Sequence, residues 1–266
     1  MAVVSVRYYT DPACPWSWAQ EPHRRHLQAE FGEGLSFTYV MGGLARHFDR
    51  PLDALAQWLD AATDSTMALD PRLWLRSAPA SSFPSCLGVK AAAEQGCAPA
   101  YLRRAREAFA IERRALDHAS VLTDLARSVS GLDAERFRSD LASSATLEAL
   151  GADLERTRAA TEGAPGDRRL PTAELDGPGG CIVVHGPAVA GQLEAAARDA
   201  GAIPRGHCPT WDPVGALRHH GPLATPELAA LCDLPGPRAP AELWRLAAQW
   251  RVRVTSYPMG EVWSAA

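Results

Sequence analysis

VVSVRYYTDPACPWSWAQEP, residues 3–22, is the stretch from which the rest of the chain can be placed. Val3 to Tyr9 is β-branched or aromatic at most positions, which favours a strand. Thr10, Asp11 and Pro12 end it. Cys14 is followed by Pro15, which suits a first helical position because the N–H it lacks would have no intrahelical partner there. The Cys14 thiol is therefore expected at a helix N-terminus, where free backbone N–H groups and the helix dipole stabilise a thiolate, the reactive form. A three-residue step places the Ser17 hydroxyl on the same helical face, close enough to steady that sulfur. Serine cannot close a disulfide with Cys14, so a mixed disulfide there would need a thiol from elsewhere to resolve it. Pro15 and Trp16 fix the turn and shield the sulfur, although Trp16 is equally explained by packing. Asp11 is expected to accept a turn hydrogen bond rather than to catalyse.

Outward from this stretch, a helix is expected from Pro15 to about Glu30, with Trp18, Leu27 and Phe31 inward. His23, Arg24, Arg25 and His26 lie on its outer part and read most simply as a solvated face. Gly32 and Gly34 stop the helix. LSFTYVM (35–41) is a second strand, and a helix between two strands makes a right-handed β-α-β unit. From about Pro51 to Thr161 the periodicity is helical, with candidates at 51–68, 84–95, 98–115, 118–130, 133–142 and 144–160. LPTAEL (170–175) and CIVVHG (181–186), separated by Asp176 to Gly180, form a hairpin signal, and an amphipathic helix follows. Residues 202–216 are rich in turn formers and read as a linker. Beyond them come helical signals at 225–234 and 239–250, then a hairpin turning at Pro258 to Gly260. Trp211, Trp244, Trp250 and Trp263 are expected to build a small core there.

Cys14-Pro15-Trp16-Ser17 resembles the C-x-x-C redox motif of thioredoxin-fold proteins, with serine in the place of the second cysteine. Pro22 looks like the kinking proline of that fold's first helix. YYTDPACPWSWAQEP is most similar to the predicted dithiol-disulfide isomerases of the DsbA/FrnE group, which includes SpxH-like adaptors and is related to glutathione-dependent hydroxychromene carboxylate isomerases and kappa-class transferases. The resemblance implies an α/β thioredoxin fold with a DsbA-like all-helical insertion and a small C-terminal winged-helix-like extension. Residues 1–48 and 167–203 would make the thioredoxin-fold domain, 49–166 the insertion and 204–266 the extension. It also implies a cis-proline opposite the cysteine. Leu170-Pro171-Thr172 looks like that loop, although proline is also permitted at the first residue of any strand.

The activity implied is thiol-disulfide exchange or isomerisation through a single cysteine, with Cys14 as nucleophile and Ser17 as its hydroxyl partner. Pro15, Trp16, Leu170, Pro171 and Thr172 would meet a peptide or glutathione. The alternatives are a glutathione-dependent isomerase or transferase, and a non-catalytic SpxH-like protease adaptor or redox sensor. Partners would be protein thiols and disulfides, or glutathione as cosubstrate; no covalently bound cofactor is expected. Other thioredoxin-fold enzymes often bury an acid on the strand before the cysteine, where this chain reads Arg7-Tyr8-Tyr9.

Composition sets the outer bounds. At 266 residues, 47% hydrophobic and 22% charged, the chain can bury one large core or two modest ones. A net charge of -4 argues against a general nucleic-acid or anionic-membrane binder. Residues 205–266 hold six Arg against five Asp plus Glu, too weak a surplus for a DNA-binding face. No basic and apolar leader opens the chain, so the cytoplasm is the default location. Cysteines 14, 86, 97, 181, 208 and 232 are scattered in a chain too large to need staples, and most are expected to be free. Cys86 reads as a buried core thiol rather than a resolving one. His207-Cys208 with Cys181 and His185 match no common zinc spacing, so no metal is expected.

Overall fold

The computed structural model describes residues 3–164, 169–206 and 210–266. Four strands make the central sheet: β1 (Val4–Thr10), β2 (Leu35–Met41), β3 (Thr172–Gly177) and β4 (Gly180–His185), in the order β2-β1-β3-β4. β2 runs parallel to β1 and pairs Tyr8 with Tyr39, while β3 runs antiparallel and pairs Tyr8 with Ala173. Val4, Val6 and Tyr8 therefore point to one face, where Leu27, Phe31, Leu175 and Leu193 complete a core.

The connection from β1 to β2 holds two helices, α1 (Pro15–Ala19) and α2 (Glu21–Phe31), instead of the single helix expected. Pro22 lies in the first turn of α2. Its missing N–H and its ring would break a continuous helix, so the chain restarts there. Trp18, Leu27 and Phe31 are all buried, as the periodicity requires.

Among the described residues, seven helices separate β2 from β3: α3 (Pro51–Ser65), α4 (Arg72–Arg76), α5 (Phe83–Ala93), α6 (Ala98–Ala110), α7 (Ala119–Ala126), α8 (Ala134–Leu141) and α9 (Ser144–Ala160). The short α4 has no counterpart among the predicted segments. Asp133 caps α8 by accepting from the Glu135 and Arg136 N–H groups. These helices share a large core with Trp18 and Met41, so the insertion packs directly on the segment that carries the cysteine. Helix α10 (Gln192–Asp199) returns to the sheet beside α2.

The C-terminal part runs α11 (Pro213–His220), β5 (Leu223–Ala224), α12 (Thr225–Leu231), α13 (Arg238–Ala248), β6 (Val252–Ser256) and β7 (Glu261–Ala265), with strand order β5-β7-β6. Part of the presumed linker is therefore helix. Asp212 accepts from the N–H groups of Val214 and Gly215, and Pro213 supplies the first helical residue, so the turn formers there are a helix start. The tryptophans divide: Trp263 is fully buried, whereas Trp244 and Trp250 are exposed, because the latter two fall on the solvent side of α13 and in the turn after it.

Backbone and ion pairs dock this part. The N–H groups of Leu69 and Met259 each donate to the other's carbonyl, at 2.7 and 3.1 Å, so the C-terminal hairpin is stitched to the stretch between α3 and α4. Glu227 on α12 accepts from Arg25 on α2 and from Arg103 on α6. Arg24 and Arg25 are consequently not a solvated face: their side chains are covered and paired.

Candidate active site

Everything that positions Cys14 starts in the turn after β1. Asp11 is completely buried and accepts from four groups: Ala13 N–H (2.8 Å), Leu44 N–H (2.6 Å), Ser82 hydroxyl (2.8 Å) and Cys86 thiol (3.2 Å). The Cys14 N–H donates to the Asp11 carbonyl, which tightens the turn. Asp11 thus has the structural role expected of it, tying the cysteine loop to α5 and to the loop after β2. Burial raises its pKa, against the pull of its hydrogen bonds.

Cys14 is the N-cap of α1, at the tip of the helix. Its thiol points at the carbonyl oxygen of Leu170, 3.6 Å away, and the Leu170–Pro171 bond is cis. Trp16, Leu170, Tyr9, Val40 and Ala61 pack round the sulfur, leaving Cys14 1% exposed. Pro15 starts the helix and is buried, and Thr172 begins β3 with its hydroxyl donated to the Arg169 carbonyl. The structure therefore gathers Cys14, Trp16, Ser17 and Leu170, with Pro171 across the cis bond and Thr172 at the start of β3.

The electrostatics overturn one expectation. Burial pushes the Cys14 thiol above the ordinary cysteine value, and hydrogen bonds from the Ser17 hydroxyl and N–H only partly oppose it. A five-residue helix has a weak dipole, and the sulfur sits among hydrocarbon, so desolvation wins. The resting form is a thiol.

Behind the sulfur lies a buried polar chain that the sequence did not suggest. Arg106, 1% exposed on α6, donates to the Thr10 hydroxyl at 2.5 Å, and Thr10 donates to the Ser17 hydroxyl at 2.8 Å. Every donor in this series points toward Cys14. Arg106 also pairs with Glu21 on α2. Burial alone would raise the Glu21 pKa, but Arg24, Arg106, Arg103 and Arg25 surround it and hold it well below the usual carboxylate range. Glu21 is thus a buried, ionised acid on α2. A Glu followed by Arg at three and four residues was its only visible signal.

Cys86 is committed to a partner other than Cys14. It donates to Asp11, and burial with the Asp11 charge raises its pKa strongly, which makes it inert. Cys181 lies exposed on β4; His207 and Cys208 fall outside the described residues. On the open side, Cys14, Trp16, Gln57, Asp60, Arg169 and Leu170 line a cavity of about 220 Å³.

A parallel-antiparallel sheet, a helix-tip cysteine and an apposed prolyl loop define a DsbA-like thioredoxin-fold protein. A family model described as thioredoxin matches residues 8–161, more than half the chain, and the chain belongs to that family. Relatives include the ClpXP adapter protein SpxH of Halalkalibacterium halodurans, 28% identical over 58% of this chain and 54% of the relative. That of Shouchella clausii is 24% identical over 98% and 88%. The chain spans about half the length of the first of these relatives. Among solved structures, the cytosolic disulfide reductase DsbM of Pseudomonas aeruginosa superposes with a TM-score of 0.57 at 23% identity, covering 68% of this chain and 88% of DsbM. A "probable DsbA oxidoreductase" of Streptomyces coelicolor gives 0.58 at 22%, covering 75% and 91%. These likenesses establish the fold. No helix among the described residues is long and apolar enough to cross a membrane.

Proposed function

We propose that the protein is a thiol-disulfide oxidoreductase or isomerase that works through Cys14 alone. The observation that carries this reading is the Cys14 thiol facing the Leu170 carbonyl across a cis Leu170–Pro171 loop, with the Ser17 hydroxyl at its back. An extended peptide or glutathione entering the adjoining cavity would pair with the backbone of that loop, and Arg169 offers a cation to a carboxylate. Once deprotonated, the Cys14 sulfur attacks one sulfur of a substrate disulfide. A Cys14 mixed disulfide forms, and the other sulfur leaves as thiolate. A second thiol, glutathione or a protein cysteine, then attacks the substrate sulfur of the mixed disulfide and frees Cys14, so no net electrons stay on the protein. Glutathione is a natural candidate because the DsbM neighbour is also described with GSH. The division into 1–48 with 167–203, 49–166 and 204–266 fits this reading, with the insertion roofing the site.

The test is incubation with oxidised glutathione followed by intact mass and peptide mapping. One glutathione adduct on Cys14, absent from Cys14→Ser, supports the proposal; an unmodified Cys14 under conditions that modify Cys181 would sink it.

A second reading is favoured by the enclosure of the sulfur and by the SpxH relatives, which are described as ClpXP adapters. In that reading the surface binds a protein partner and Cys14 is dispensable. Co-purification of a stable partner by Cys14→Ala, in yield equal to the wild type, would favour it.

A further inference from the structure

A cavity of about 1250 Å³ lies away from Cys14, between α2, α10, the end of α3 and the C-terminal part. Three side chains with metal-ligating atoms meet on its wall. His26 and Glu30 are one turn apart on α2, and Glu194 comes from the first turn of α10; one ligand atom from each lies within 4.8 Å of the other two.

Their hydrogen bonding is that of a site rather than of a packed cluster. The His26 Nδ1 lies 3.4 Å from the Ala230 carbonyl oxygen, which can only accept. Nδ1 therefore donates to it, which makes Nε2 the ring nitrogen on hand for a ligand. That Nε2 faces Glu30 Oε2 at 3.9 Å. Arg198 takes the other oxygen of Glu30, Oε1, which leaves Oε2 free. Glu194 is 5% exposed, and its Oε2 is buried with no hydrogen-bond partner among the described residues. An unpartnered buried carboxylate oxygen is costly.

We propose that His26 Nε2, Glu30 Oε2 and Glu194 form a binding site for a divalent first-row transition-metal ion of the Zn2+ type. One imidazole and two carboxylates without thiolate suit Zn2+, Mn2+ or Fe2+, whereas a soft ion would want sulfur and Mg2+ or Ca2+ would want oxygen alone. Metal bonds of about 2.0–2.2 Å require the three donors to close by about 1 Å, within the reach of side-chain rotation. A carbonyl accepting from the far nitrogen of the histidine is the usual arrangement that holds a ligating imidazole in its tautomer. Three protein donors leave positions open toward the cavity for water or a ligand. The ion would clamp α2 to α10, and through the Ala230 carbonyl it would also steady α12.

The whole chain of residues 1–266 is stripped with chelator, kept reduced, and titrated with Zn2+ and Co2+ alone. The wild type should bind one ion at this site and its Tm should rise with Zn2+ concentration. Glu194→Gln and His26→Ala should each weaken that binding at least tenfold, while Cys14→Ser leaves it unchanged. Co2+ should give visible bands without a thiolate charge-transfer band. Without metal, Glu194→Gln should melt no lower than wild type, since it removes the charge from a side chain whose Oε2 is buried without a hydrogen bond; this separates loss of a ligand from loss of the fold. Equal Zn2+ affinity in wild type, Glu194→Gln and His26→Ala, or a thiolate band with Co2+, would overturn the proposal.

Discussion

The Arg103 guanidinium donates to both carboxylate oxygens of Glu227, at 2.7 and 2.9 Å, joining α6 of the insertion to α12 near the C-terminus. Arg25 on α2 donates to the same carboxylate at 2.6 Å. Removing one partner of a buried ion pair strands the other charges, at about 3–5 kcal/mol. Glu227→Gln should therefore lower the urea midpoint sharply, with the buried Trp263 reporting the loss. Glu242→Gln, which breaks an exposed pair with Arg245, should leave the midpoint where it is.

Acid should act through the same cluster. Glu21 and Glu227 are both buried, which would raise their pKa values, but the arginines around them hold both below the ordinary 4.5. Groups depressed on folding contribute stability that is present above their unfolded value and is lost as pH falls through the folded one. Thermal stability should thus hold down to about pH 4.5 and fall below it. Glu227→Gln should flatten that acid limb; an unchanged slope would remove Glu227 from the account.

At Cys14 the direction is opposite. Burial raises its pKa, so alkylation by iodoacetamide should keep accelerating with pH past the ordinary thiol value of 9.0. A plateau below pH 7 would contradict this. Ser17→Ala removes a hydrogen bond to the thiolate, and the ~1.5–3 kcal/mol typical of bonds to charged groups makes the neutral-pH rate roughly tenfold or more slower.

Gly42 stands behind the prolyl loop. A Cβ there would lie 2.5 Å from Leu170 Cδ1 and 3.1 Å from Cδ2. Gly42→Ala should displace Leu170 from the sulfur at a cost of about 1–3 kcal/mol. The Cys14 alkylation rate should rise; no change in rate would mean that Leu170 does not cover the thiol.

Cys86 should be silent in turnover. Its thiol is held by Asp11, so Cys86→Ala should leave the release of glutathione from modified Cys14 unchanged. A slower release would make it the resolving cysteine.

Local pattern carried the sheet well. β-branched and aromatic residues marked β1, alternation marked β2, the Asp176 to Gly180 turn marked the β3–β4 hairpin, and 144–160 was read to the residue as α9. The helix break at Pro22 was half legible: a kinking proline was recognised, but not that it splits the helix. Residues 213–216 were misjudged because Asp-Pro-Val-Gly reads equally as a turn or as a capped helix start, and only the Asp212 side chain decides. Within the site, Cys14 and Ser17 were visible because they are neighbours on one turn. Thr10, Arg106 and Glu21 were not, since their pairing joins a strand, α6 and α2, and no spacing along the chain announces it. The protonation of Cys14 was misread for a related reason. Helix-tip position is local, whereas desolvation comes from Leu170, Val40 and Ala61, all distant in sequence.

The stitch between Leu69 and Met259 has a consequence for biogenesis. A ribosome completes β1, its helices and the whole insertion before Met259 emerges, so the Leu69 backbone lacks this partner until then. Arg25 and Arg103 likewise wait for Glu227 to arrive. Until Glu227 has been made, Arg25 and Arg103 have, among the described residues, only Glu21 and Glu107 to balance them, so the arginines on this seam are under-neutralised in the nascent chain.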